Sequence, residues 1–170
     1  MKPRLLNAPP LDLASLRPIV LLDMNGVINV FQCESAREVS VAPHLPTLQM
    51  LPDIGASLAL LHSYCTLVWC STWDDAVNSD AVAAWGLPPL PVIKPLPHEA
   101  GEHDWKTLAV AQTFAAWPGT LVWVEDGFRP AARAWASERL LRGTRTRLID
   151  VTESGLTVEI AAEIVEWTSL

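Results

Sequence analysis

No stretch of this chain approaches the roughly 20 consecutive apolar residues that a membrane-spanning helix requires. Cysteine is scarce. Cys33, Cys65 and Cys70 form no metal-ligand spacing, and their odd number argues against a disulfide framework. A reducing, cytoplasmic setting fits that usage best. The histidines His44, His62, His98 and His103 also lack metal-ligand spacing and are assigned no role. His44 is the best placed of them to approach a substrate, because it lies in the flap segment described below. Positive charge is in short supply: 12 Lys and Arg against 19 Asp and Glu leave a net charge of −7. That balance disfavours nonspecific binding to a nucleic-acid backbone. The start of the chain shows no signal-peptide pattern, since Lys2 and Arg4 lead into Asn7, Pro9 and Pro10 rather than an apolar region. No internal repeat is present.

Half of the 170 residues are hydrophobic. A chain of this length buries roughly 70% of its unfolded surface, so it can build a core unaided. One compact domain is the expectation. Residues 1–17 read as an N-terminal leader with little regular structure, and residues 18–170 as an α/β domain.

The run IVLLDMNGVI, residues 19–28, carries the most information. A continuous apolar run reads as a strand buried on both faces. Gly26 permits a sharp turn just beyond it. Asp23 then sits at the carboxyl end of a central strand, where open α/β sheets bind their ligands. Such an Asp is a candidate nucleophile or metal ligand; the plainer alternative is an Asp that starts a turn.

Further strands are expected at 67–71 (LVWCS), 121–125 (LVWVE) and 146–151 (TRLIDV), with a short extended piece around Val92 and Ile93. Helical spacing predicts helices over 53–64, 74–85, 104–117, 130–141 and 157–169. Asp53 and Asp104 are candidate N-caps, and Pro130 suits a first helical turn. Residues 29–50 are broken by Pro43 and Pro46 and read as a minimal flap or hairpin over the rim. Alternating strands and helices imply a Rossmann-like parallel sheet with helices on both faces.

That topology would gather Asp23 and Asn25, Ser71 and Thr72, and Glu125 and Asp126 on one edge. Lys106 lies just inside the helix that precedes the third strand. Clustered carboxylates repel unless a cation neutralises them, which magnesium does with carboxylates and substrate oxygens. A hydroxyl can bond a phosphoryl oxygen, and a lysine offers a point charge. Together these are the parts of phosphoryl transfer. Trp73 is a candidate to stack on a substrate ring, with core packing the plainer reading. Cys70 reads as a buried apolar side chain. The basic stretch Arg129, Arg133, Arg139, Arg142, Arg145 and Arg147 reads as a solvated helix face, or else as an anion-binding surface beside the rim.

The order of these strand ends resembles the haloacid dehalogenase (HAD) superfamily, over roughly residues 18–169. The pieces DxxGVIN at 23–29, STWDDAVN at 71–78, GLPPLP at 86–91, WVED at 123–126 and TESGLT at 152–157 are similar to the HAD-like domain of "Swiss Army Knife" RNA repair proteins. The resemblance implies a magnesium-dependent phosphohydrolase acting through an aspartyl-phosphate. Asp23 would be the nucleophile. Asp23, the Asn25 carbonyl and Asp126 would hold Mg²⁺, with Glu125 an indirect contact behind those ligands or one made through water. Ser71, or Thr72 as fallback, would bind the phosphoryl group, with Gly26 beside the substrate. Lys106, preferred over Lys94, would stabilise charge. The implied partner is a phosphorylated substrate, with a nucleotide or RNA end as one candidate.

One departure stands out. The family carries an acid–base Asp two residues after the nucleophile, and this chain has Asn25. An amide cannot relay that proton, a loss that typically costs about 10²–10⁴-fold in rate. The expectation is therefore a slow enzyme, a phosphate-binding or protein-interaction module that keeps the metal site, or a residue changed to trap substrate.

Overall fold

The computed structural model describes residues 8–31, 33–41, 45–73, 80, 82–95 and 104–170. Its elements run β1 (Ile19–Leu22), β2 (Arg37–Val39), β3 (Leu48–Met50), α1 (Ile54–Tyr64), β4 (Thr66–Cys70), β5 (Val92–Ile93), α2 (Trp105–Thr113), β6 (Leu121–Glu125), α3 (Pro130–Leu141), β7 (Thr146–Asp150) and α4 (Val158–Ser169).

Five strands form a parallel sheet in the order β5-β4-β1-β6-β7. Because side chains alternate across a strand, each apolar run feeds two cores. Val20, Leu22, Leu67, Trp69, Val122 and Val124 face a layer made by α1 and α4. Ile19, Leu21, Val68, Leu121 and Trp123 face α2 and α3. A strand in this position must be apolar on both sides, hence its unbroken run. Each fully buried Leu or Val contributes about 1.5–3 kcal/mol of transfer free energy. The chain winds outward from β1 through β4 to β5, then returns across β1 to β6 and β7. The direction reverses between β1 and β6, and in open α/β sheets the ligand crevice lies at such a reversal.

Helix ends show where local signals competed with the rest of the molecule. Thr157 caps α4, its hydroxyl accepting the Ile160 N–H at 3.3 Å. Asp53 and Asp104 stand at N-cap positions without making a side-chain cap bond. Instead the Asp104 carboxylate accepts the Thr107 hydroxyl at 2.6 Å. The helix expected over 104–117 ends at Thr113. Arg139 reaches across from α3 and donates to the carbonyls of Phe114, Trp117 and Gly119, which bind a side chain rather than a continuing helix. Of the helix expected at 74–85, Asp80 and residues 82–84 are helical, while 74–79 and 81 lie outside the described residues.

Within 29–50, β2 and β3 form an antiparallel pair. Leu48 and Met50 are buried in the α1–α4 layer, so the pair is anchored in the core rather than hanging free. Residues 8–17 have no helix or strand, yet Leu11 and Leu13 pack on the α2–α3 layer. Among the described residues, no helix is long and apolar enough to cross a membrane.

Candidate functional site

Register decides which polar strand ends meet. Leu22 stands opposite Trp69 on β4 and opposite Val124 on β6. One residue further, Asp23 is level with Cys70 on one side and Glu125 on the other. By alternation these three share the α2–α3 face. Ser71 and Asp126 fall one step beyond, level with Met24.

Asp23 is 7% exposed and Glu125 5%. Lys106, in the first turn of α2, reaches both: its Nζ lies 2.7 Å from Asp23 Oδ2 and 2.7 Å from Glu125 Oε1. The second Glu125 oxygen accepts the Trp123 indole N–H at 3.3 Å. One lysine against two buried carboxylates leaves an excess of negative charge. Burial pushes Glu125 up to about 8, and Asp23 beside it acts in the same direction against the pull of Lys106. Burial works to lower Lys106, but Asp23 and Glu125 outweigh it and hold the ammonium above its ordinary value. The lysine is charged at neutral pH, and Glu125 tends to keep a proton. Beneath them Cys70 is fully buried, its thiol pushed far up by burial, so it adds no charge.

Asp126 is exposed. One carboxylate oxygen from each of Asp23, Glu125 and Asp126 lies within 4.8 Å of the others. An all-oxygen donor set at this spacing suits a hard divalent cation rather than zinc. A cation there would also neutralise the charge that now retains a proton on Glu125, so the donor chemistry and the electrostatics fit the same occupant.

Gly26 explains how Asp126 comes so close. Its φ is +76°, and a Cβ there would collide with the Asp126 side chain. The turn is closed by Gly26 N–H donating to the Asn29 carbonyl at 2.8 Å and Asn29 N–H to Met24 at 2.8 Å. Asn25 is half-buried. Its side-chain oxygen accepts from Asn29 Nδ2 at 3.1 Å, and Asn29 Oδ1 accepts the Gln49 N–H at 2.8 Å. The amide of Asn25 thus ties the β1 turn, through Asn29, to β3.

Ser71 is 1% exposed, and its hydroxyl accepts the Trp73 N–H at 3.4 Å. Thr72 is exposed. Trp73 is half-buried and packs against the α1–α4 layer, which is the core-packing arrangement. Lys94 is exposed just past β5. Of the histidines, His62 lies on α1, and His44, His98 and His103 lie outside the described residues.

The arginine-rich stretch is largely engaged within the fold. Arg133 pairs with Asp150, Arg142 with Glu138 and Arg147 with Glu163. Arg145 stacks on Trp167, 4.5 Å from its ring centre. Arg139 is buried. Arg129 lines a cavity of about 190 Å³ together with Trp105, Lys106, Trp123, Glu125 and Phe128. A second cavity, of about 230 Å³, touches Gly26 and Asp126 and is walled by Phe31, Cys33 and Glu153. The sequence reading gave no site role to Trp123 or Phe31. Trp123 shares a face with Glu125 by the two-residue period, a signal that becomes legible once the pairing is known. Phe31 carries no local pattern at all.

No family model, curated protein or solved structure matches this chain. Its candidate chemistry lies in the corner built by Asp23, Lys106, Glu125 and Asp126.

Proposed function

We propose that the chain is a magnesium-dependent phosphohydrolase of the HAD type, working through an aspartyl-phosphate on Asp23 and slow because Asn25 stands at the acid–base position. The observation that carries this reading is the bridge of Lys106 between Asp23 and Glu125, 2.7 Å to each, with Asp126 completing an oxygen-only cluster. Asp23, Asp126 and the Asn25 carbonyl would hold Mg²⁺, with Glu125 supporting them. When bound, the ion offsets the carboxylate charge and that of the phosphoryl oxygens. Lys106 keeps its proton and faces the nucleophile, so it stabilises charge without acting as a base. The Ser71 hydroxyl, or that of Thr72, would donate to a phosphoryl oxygen. An Asp23 oxygen forms the bond to phosphorus as the ester oxygen departs, and water later hydrolyses the acyl phosphate. The departing oxygen needs a proton, which the Asn25 amide cannot give.

A second reading, a phosphate-binding module without turnover, is favoured by one observation. Asn25 is engaged by Asn29 as a structural link. The two readings part on one substitution. A carboxylate at this position still accepts from Asn29 Nδ2, so Asn25→Asp should fold. With magnesium and p-nitrophenyl phosphate, or 5′- and 3′-phosphorylated oligonucleotides, Asn25→Asp is expected to raise phosphate release about 10²–10⁴-fold. Asp23→Asn should abolish it. Turnover that persists in Asp23→Asn, or its absence in both wild type and Asn25→Asp, would remove the enzyme reading.

A further inference from the structure

We infer that the cavity beside Gly26 and Asp126 receives the leaving group of the substrate, and that it selects a compact, uncharged, planar ring stacked on Phe31. The inference rests on the phosphohydrolase reading and names the class of its substrate.

The cavity shares Asp126 with the carboxylate corner and is lined by Gly26, which abuts that residue, so whatever fills it is adjacent to the reacting phosphate. Its volume is about 230 Å³. A dry cavity of about 150 Å³ holds benzene, so one ring with substituents fits. Phe31 is 65% exposed. A single exposed Phe is ordinary on a protein surface, but this one walls a cavity that the candidate metal ligand Asp126 also lines. An exposed aromatic face offers stacking to a planar partner.

The Gly155 side of the cavity is held in place. The Leu156 N–H donates to the Val27 carbonyl at 2.9 Å, joining the loop after β7 to the β1 turn. Gly155 abuts Val30 so closely that a Cβ would collide with it. That side therefore needs no rearrangement when a ligand arrives, which lowers the ordering cost of binding.

Charge narrows the occupant. Among the described residues, the charged side chains lining this cavity are Asp126 and Glu153, both acidic. A second phosphate or a polynucleotide backbone would be repelled there. An uncharged ring bearing hydrogen-bond donors would not be. The other cavity, with Lys106 and Arg129 in its wall, lacks this bias against anions.

The test compares ring and ringless ligands in the presence of magnesium. Phenylphosphonate and methylphosphonate report binding without any need for turnover. Adenosine 5′-monophosphate distinguishes a ring carried on a sugar from one joined directly. Wild type should bind at least one ring ligand about tenfold more tightly than methylphosphonate, Phe31→Ala should erase that preference, and Phe31→Trp should restore it. Methylphosphonate affinity should be the same in all three proteins. An unchanged ring preference in Phe31→Ala, or no ring preference in wild type, overturns the subsite. Failure of the phosphohydrolase reading shows separately, as absent turnover in both wild type and Asn25→Asp.

Discussion

Lys106 and Arg139 are both drawn below the surface, and they are held in opposite ways. Arg139 meets neutral acceptors. It donates to Thr146 Oγ1 at 2.8 Å and to the carbonyls of Phe114, Trp117 and Gly119 at 2.7, 3.2 and 3.3 Å. Its guanidinium also lies 5.3 Å from the Trp135 ring centre. Burial and nearby Arg142 lower its affinity for a proton, yet a guanidinium stays charged, and its fork is filled by bonds the fold provides. Lys106 meets two carboxylates, and the imbalance is met by a proton that Glu125 tends to keep. The first arrangement is complete and acts as a clasp between α3 and the loop ahead of β6. The second relies on a proton that a metal cation could replace. Two positive charges, one buried and one half-buried, therefore carry different meanings, set by what balances them.

Removing each cation tests that contrast most strongly. Arg139→Met strips three carbonyls and a hydroxyl of their donor, with an expected loss of about 3–5 kcal/mol in urea or thermal unfolding. Phosphate release per folded molecule should not change. Lys106→Met should do the reverse. Magnesium-dependent turnover measured in the faster Asn25→Asp background falls about 10²–10³-fold, and stability falls less because Glu125 can retain a proton. Equal stability losses in the two variants would break the distinction.

Magnesium should then stabilise one region only. At about 100 times its dissociation constant it adds about 2.7 kcal/mol, seen as a raised Tm. Asp126→Asn should remove most of that gain, whereas Arg139→Met should keep it on a lower baseline. A gain that survives in Asp126→Asn would mean the ion binds elsewhere.

The smallest effect is one of pH. Glu125 is raised from an ordinary 4.5 to about 8, so the folded chain holds a proton that the unfolded chain releases. Its stabilising contribution is full below about 4.5 and is lost as pH rises through about 8. Lys106, itself raised, stays charged across this window and contributes no slope. Metal-free protein should therefore lose roughly a few degrees of Tm between acidic and mildly alkaline pH. Glu125→Gln should flatten that slope relative to wild type, and an identical slope in both would place the proton on another group.

Much of the framework was legible in the chain because strands buried on both faces must be apolar throughout, and helices repeat at a fixed spacing. The runs at 19–22, 67–70 and 121–125 became β1, β4 and β6, and Pro130–Leu141 became α3 within its expected bounds. Asp23, Glu125 and Asp126 could be placed at strand ends for the same reason. The end of α2 could not, because Arg139, far along the chain, took the carbonyls past Thr113. Nor could the engagement of Asn25 by Asn29, or the approach of Gly26 to Asp126, which depend on how the β1 turn packs against β3 and β6.

By itself the sequence determined the strands of the parallel sheet, most of the helices and which residues could stand at the sheet's carboxyl edge, since these follow from local period and burial. The tertiary structure alone decided that Lys106 spans Asp23 and Glu125, that Cys70 lies beneath them, and that Phe31 walls a cavity beside Asp126. Such relations are set by strand register and crossovers between distant segments, and no local pattern of residues encodes a distance across the sheet.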